Sequence, residues 1–195
     1  MHSKQEKTVI LIKPDGIKRG LIGEIISRFE KRGLKIIAIQ MIQPTKKQID
    51  GHYPKDKNYI KILGMKSLET YAKFGWDPIK EMGTDDPVKI GAEVRKWLLD
   101  FMVSGPVVKM IVEGIHAIEM VRKIVGKTIP AFSEMGTIRG DFSVDSADLA
   151  NKAKRAVHNL IHASGNEKEA KHEFEFWFSP EEIFDYKRAE DDIMF

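Results

Sequence analysis

Apolar positions fall in two rhythms along this chain, short β-branched runs and stripes at helical spacing, and the two alternate. Thr8-Val-Ile-Leu-Ile-Lys13 is an apolar run that stops at Pro14-Asp15-Gly16, where proline and glycine favour a turn, so it predicts a first strand. From Leu21 to Arg32 the residues Ile22, Ile25, Ile26 and Phe29 recur at helical spacing, and Gly33 supplies a stop. Leu34 to Ile42 returns to strand composition. Thr45-Lys-Lys-Gln48 then has the form of a capping box and opens a short helix towards His52-Tyr53. A second set begins with the strand Val107 to Glu113 and the amphipathic segment Ile115 to Val125, which ends at Gly126. Glu173-Phe-Glu-Phe-Trp-Phe178 sets Phe174, Phe176 and Phe178 on one face at strand periodicity and predicts the closing strand, and Ser179-Pro-Glu-Glu182 carries the signature of a capped helix start.

Two such strand-helix-strand units predict an α/β (α+β) chain. Its expected form is a ferredoxin-like βαββαβ sandwich, one four-stranded antiparallel sheet with helices on one face. Residues 1–195 read as a single domain with two insertions. The one at about 54–103 is helically patterned and predicts a hairpin or cap, and the one at about 145–155 predicts a short surface helix. No internal repeat or low-complexity linker interrupts the chain.

Composition narrows the function classes. Lys plus Arg total 32 against 29 acidic residues, and a net charge of +3 gives no bulk electrostatic case for nucleic acid, while a polyanionic small ligand remains compatible. With no cysteine there is no disulfide, thiolate metal site or cysteine nucleophile, which suits a reducing compartment. The first residues are polar and no apolar run approaches the roughly 18–20 residues of a membrane span, so a cytoplasmic protein is expected, without membrane or nucleic-acid partners. The end, Asp191 to Phe195, reads as a docking tail or a frayed terminus.

Candidate chemistry gathers in three segments: Lys13-Pro-Asp-Gly after the first strand, Thr137-Ile-Arg139-Gly-Asp in a loop, and Asn159-Leu-Ile-His162-Ala-Ser164. Each has a plain structural reading, as a strand-ending lysine, a solvated loop arginine and a packed histidine. Together with Arg122 they supply several cations and one nucleophile that needs orientation more than deprotonation, as phosphoryl transfer requires. Ser164-Gly-Asn-Glu167 has capping-box spacing, which would stand His162 just before a helix N-terminus. Glu173 is a reasonable orienter of the imidazole. The remaining histidines are scattered, no set of residues has metal-ligand spacing, and no protein-held metal is expected.

The motifs Lys13-Pro-Asp-Gly, Ser104-Gly-Pro-Val, Thr137-Ile-Arg-Gly-Asp and Asn159-Leu-Ile-His jointly resemble those of the nucleoside diphosphate kinases, from Thr8 to Tyr186. The resemblance implies a ferredoxin-like fold. It also implies a ping-pong exchange in which His162 takes the γ-phosphate of a nucleoside triphosphate such as ATP and passes it to a nucleoside diphosphate. By motif position Lys13 and Asn159 resemble the ribose contacts, Arg122 and Thr128 the β-phosphate clamp, and Arg139 and Tyr53 neighbours of the transferred group. Glu173 and Ser164 resemble the groups that hold the imidazole. Mg2+ would arrive on the nucleotide phosphates, and a homo-oligomer, tetramer or hexamer, is implied. Ala163 and Gly165 stand where the family usually has glycine and aspartate. The stacking aromatic of the family's hairpin falls on Val94, which leaves Trp97, Tyr59 or another surface for the base. A nucleic-acid-binding ferredoxin-like module and a degenerate, regulatory kinase are the competing readings.

Overall fold

The computed structural model describes residues 5–189, so the tail from Asp191 lies outside the described residues. Strand β1 (Gln5–Ile12) leads through the short helix α1 (Pro14–Lys18) into α2 (Ile22–Lys31), which buries Ile25 and Phe29 and stops before Gly33, whose φ of 84° suits a residue without Cβ. Strand β2 (Lys35–Ile42) and helix α3 (Lys46–His52) follow, and Thr45 caps α3 in a reciprocal box with Gln48. Strand β3 (Val107–Ile115) runs into α7 (Ala117–Val125), with α4, α5 and α6 between α3 and β3: Lys57–Lys73, Pro78–Met82 and Pro87–Met102.

After α7 come α8 (Ile138–Phe142), α9 (Ala147–Lys152), strand β4 (Ile161–Ala163) and α10 (Glu167–Trp177). The sheet order is β2-β3-β1-β4, antiparallel throughout, which makes the fold ferredoxin-like. Among the described residues no helix is long and apolar enough to cross a membrane.

Three expectations are corrected. The closing strand is Ile161–Ala163, and Glu173–Phe178 lies largely in helix α10. The alternating phenylalanines mislead because the buried face of α10 is Ala170, Glu173 and Trp177, a helical spacing that contains a charged residue, while Phe176 is exposed. The Thr137–Asp141 segment is helical rather than a loop, since Thr137 accepts from Gly140 N–H and caps α8.

The helices also cover both faces of the sheet. Ile10 and Ile12 point into a core with α2 and α7, whereas Val9 and Leu11 point into a second core with Ile49, Met102 and Trp177. A strand buried on both faces has no polar alternation to show, which accounts for the unbroken apolar run in β1.

Helices α4 and α6 form the expected hairpin by an approach the hydrophobic pattern did not reveal. A Cβ on Gly64 would stand 1.8 Å from Pro87 O, and one on Gly91 1.8 Å from Ile60 O. Glycine in a helix interior costs about 1 kcal/mol relative to alanine, and here it lets two backbones touch. Gly91→Ala should therefore lower stability by about 1–3 kcal/mol through overpacking, despite its better helix propensity. Gly23→Ala in α2, where an added Cβ meets nothing within 4 Å, should raise it by about 0.5 kcal/mol. Thermal unfolding of the pair decides this; a Gly91→Ala protein as stable as wild type would show that the helices separate freely.

Candidate active site

Because β4 pairs with β1 in the register Ile10↔Ala163, Leu11↔His162 and Ile12↔Ile161, His162 stands on a sheet strand and its backbone cannot wander. Ala163 has ordinary strand conformation there, so nothing in the backbone calls for glycine beside His162. The helix cap expected at Ser164 belongs to Asn166, whose side chain accepts from Glu169 N–H. Ser164 is fully buried instead. Its hydroxyl donates to Glu173 Oε2 at 2.6 Å and accepts from Val9 N–H at 3.2 Å.

Glu173 is buried on α10, and its other oxygen, Oε1, lies 2.7 Å from His162 Nε2. A carboxylate accepts, so the imidazole proton sits on Nε2 and the Nδ1 lone pair is left free, with no partner among the described residues. His52, not singled out by the sequence, packs edge-on to His162 with ring centroids 4.6 Å apart. Its Nδ1 accepts from Trp177 Nε1–H at 3.2 Å. Burial, helped by nearby His162 and Lys13, holds its pKa well below the ordinary histidine value, so it stays neutral.

His52, His162 and Glu173 thus place potential metal-ligand atoms within 4.8 Å of one another, a grouping that sequence spacing concealed. Glu173 Oε1, His162 Nε2 and the His52 Nδ1 that lies 3.6 Å from Glu173 Oε1 are engaged in the hydrogen bonds just described, while His52 Nε2 is buried without a partner among the described residues.

Around this group opens a cleft of about 780 Å³, and the sequence-predicted residues Lys13, Tyr53, Arg122, Thr128, Arg139, Asn159 and His162 all line it. Lys66, Lys127 and Arg155 add cations that sequence reasoning did not select, and among the described residues no Asp or Glu lines the cleft.

The cations differ in how they are held. Lys13 donates to Asn159 Oδ1 at 2.7 Å, and Asn159 Nδ2 donates to Thr128 O at 2.9 Å. Burial, and next the positive charge of Arg139, push the Lys13 pKa down to about 7. Arg139 is buried and gives its donors to carbonyls, Asn159 O at 3.1 Å, Gly126 O at 3.0 Å and Ile161 O at 2.6 Å. Burial, with Arg122 nearby, lowers its pKa to about 10, which still leaves it a cation at neutral pH.

Arg122 has no acidic partner among the described residues. A Cβ on Gly165 would lie 3.4 Å from its Nη1 but only 2.5 Å from Glu169 Oε2, which accepts from Gly165 N–H, so glycine makes room there for the Glu169 carboxylate. The Tyr53 hydroxyl is held protonated, its pKa raised chiefly by burial. Tyr59 and Trp97, the two aromatics considered for base stacking, line the same cleft, as does Val94, where the resemblance would place an aromatic. An acid-free, multiply cationic cleft with one oriented imidazole nitrogen is built to receive phosphate groups and to attack one.

Comparison with known proteins gives the same direction. A family model described as nucleoside diphosphate kinase matches residues 6–64 and 90–183. A nucleoside diphosphate kinase of Pyrobaculum aerophilum is 47% identical over 180 residues, which covers 92% of this chain and 98% of that protein. The crystal structure of an NDP kinase from Pyrobaculum aerophilum superposes with a TM-score of 0.90 at 46% identity, covering 93% of this chain and 100% of that one. A Borrelia burgdorferi nucleoside-diphosphate kinase, solved as a transition-state mimic with vanadate and ADP, superposes with a TM-score of 0.77 at 35% identity over 96% of this chain and 95% of that one. By its motifs, its sheet and these matches, the chain belongs to the nucleoside diphosphate kinase family.

Proposed function

We propose that this protein reversibly transfers the γ-phosphate of a nucleoside triphosphate to a nucleoside diphosphate through a phosphohistidine at His162, maintaining nucleoside triphosphate pools. The observation that carries the reading is the free Nδ1 of an imidazole whose Nε2–H is held by Glu173 at the edge of an acid-free cationic cleft. The Nδ1 lone pair forms the new bond to γ-phosphorus as the bond from phosphorus to the β-γ bridging oxygen breaks, and the electron pair leaves with the diphosphate. The second half-reaction runs this in reverse on another diphosphate, so one geometry serves both directions. Glu173 stabilises the cation that the imidazole becomes, and Ser164 keeps that carboxylate aimed.

Arg122 and Thr128 then clamp the β-phosphate, and Lys13 with Asn159 hold the ribose hydroxyls. Tyr53 approaches the transferred group as a neutral donor. Arg139 contributes its charge and, through its carbonyl bonds, the shape of the chain before His162. Mg2+ belongs to the substrate in this reading. Among the described residues the cleft offers no carboxylate, whereas magnesium favours phosphate oxygens and water, so carried on the nucleotide it would supply charge neutralisation at the phosphates.

The domain is a single kinase unit carrying the helical segment 54–103 and α9 as insertions. It assembles with copies of itself as a tetramer or hexamer, a reading supported by β2, an edge strand whose Ile39 and Met41 are half exposed. A cytoplasmic site of action fits the cysteine-free composition, and cell fractionation checks it.

His162→Ala should fold as wild type and lose exchange by on the order of 10⁴-fold or more. With Mg2+ and γ-labelled ATP, wild type should carry an acid-labile label that GDP removes, and the variant none. An unlabelled wild type that still binds nucleotide would mark a degenerate binder.

The depressed Lys13 pKa gives a second outcome. Below pH 7 the ammonium is already charged in the empty cleft. Above it, a bound polyanion must recharge the amine, so nucleotide binding should take up protons, approaching one per site near pH 9. Calorimetry in buffers of different ionisation enthalpy measures the uptake. Lys13→Met should remove it and weaken binding, and equal uptake in both proteins would refute the assignment. Sedimentation equilibrium tests assembly, where a monomer at micromolar concentration would count against it.

A further inference from the structure

His52, the last residue of α3, is buried beside the reacting imidazole, yet the exchange above gives it no task. Its Nδ1 stands between two groups. Trp177 Nε1 lies 3.2 Å away and Glu173 Oε1 lies 3.6 Å away, the same oxygen that His162 Nε2 meets at 2.7 Å. An indole nitrogen can only donate, so it fixes the ring: His52 Nδ1 accepts, and the one proton of the neutral imidazole is on Nε2. The opposite ring orientation would leave the N–H of the buried Trp177 without an acceptor among the described residues. This choice has a visible cost, because His52 Nε2 is enclosed with no partner among the described residues. The other tautomer would give the Glu173 carboxylate a charge-assisted bond from Nδ1–H after a small approach. The indole N–H forbids it, since two donors would then face each other.

The forbidden bond bears on the chemistry. Glu173 Oε1 keeps the His162 proton on Nε2 and leaves Nδ1 as the lone pair that attacks. A second donor would divide that oxygen between two imidazoles and weaken its hold on His162. The His162 proton would then spend time on Nδ1, where it blocks attack. Oε2 offers no refuge, because the Ser164 hydroxyl occupies it at 2.6 Å. Resting on the kinase reading above, we propose that Trp177 and His52 are positioning residues, in which the indole N–H locks His52 as an acceptor and so reserves Glu173 for His162. Neither residue lines the cleft, so they act through Glu173 and not on the phosphoryl group. The two imidazoles pack edge-on at 89° with centroids 4.6 Å apart, which keeps His52 where a change in its tautomer reaches its neighbour.

The test compares wild type with Trp177→Phe, which keeps a ring and deletes the N–H, with His52→Leu and with the double variant. Single-turnover labelling by γ-labelled ATP gives the rate of His162 phosphorylation, calorimetry gives ATP affinity, and nitrogen NMR of histidine-labelled protein shows which ring nitrogen of each histidine carries the proton. Trp177→Phe should slow phosphorylation about tenfold, the scale of one misplaced hydrogen bond, at unchanged ATP affinity. It should also move His52, and part of His162, to the Nδ1–H form. In the double variant the competing donor is gone, so it should be labelled as fast as His52→Leu alone and faster than Trp177→Phe, a coupling that the mutant cycle measures. A purely structural role would make the two losses add and leave the His162 tautomer unchanged. A wild-type His52 protonated on Nδ1, a Trp177→Phe protein as fast as wild type, or additive losses would overturn the assignment. Were Trp177→Phe not to fold, the wild-type spectrum decides, with a proton on His52 Nε2 in support and on Nδ1 against. A protein that takes no label, yet shows both rings in the assigned tautomers and His162 disturbed by Trp177→Phe, would overturn the kinase reading and leave the positioning standing.

Discussion

The guanidinium of Arg139, buried on α8 and bonded to the carbonyls of Gly126, Asn159 and Ile161, is the interaction on which the rest of the site depends. Between its two grips on the strand lies Leu160, at a φ of 66°. A residue with a Cβ pays about 1–2 kcal/mol for that conformation, and it persists only where its surroundings over-determine it. Here they do. Asp15 accepts from Leu160 N–H at 3.0 Å, Lys13 N–H donates to Leu160 O at 2.8 Å, and the Leu160 side chain is buried in the core. The kink turns Asn159 towards Lys13 and lets β4 restart with His162 in register with Leu11. Three sequence segments far apart in the chain are thus welded at one residue that performs no chemistry itself.

Legibility in the sequence followed the same division between local and distant causes. Strands β1, β2 and β3, helices α2, α3 and α7 and the box at Thr45 announce themselves through neighbours a few positions away, and these were readable. Helix α10 was not, because its interior contact is Glu173, a charge buried only because Ser164 and His162 meet it; periodicity counts such a residue as polar surface. His52 was overlooked for a related reason. Its partners Trp177 and His162 are more than a hundred residues away, and its burial leaves no local mark. Lys13, Arg122, Arg139, His162 and Glu173 were readable from the chemistry of their types and Tyr53 and Thr128 from the family resemblance, whereas Lys66, Lys127 and Asn151, outside the motifs, became visible only as walls of a shared cleft.

Charge in the cleft is arranged so that little of it is cancelled from within. Two of its cations are held by carboxylates that do not line it, Lys127 by Glu134 at 2.6 Å and Arg155 by Asp145 at 2.6 Å. Arg122 and Lys66 have none among the described residues, and Lys13 leans on an amide. The protein bears the self-repulsion of this group partly by burying the Lys13 amine in a form that loses its proton near neutrality.

The glycine contact between α4 and α6 bears on mechanics. Where helices meet through interleaved side chains, the seam can breathe by rotamer changes; where Pro87 O rests against Gly64 and Ile60 O against Gly91, there are no rotamers to change. The hairpin behaves as a stiff plate carrying Tyr59, Ser67 and Trp97 on one board. Whatever shifts one of these side chains against the opposite wall therefore shifts all three, and that wall is met where Ser67 bonds Asn151 and, at the rim, where Lys152 bonds Glu81.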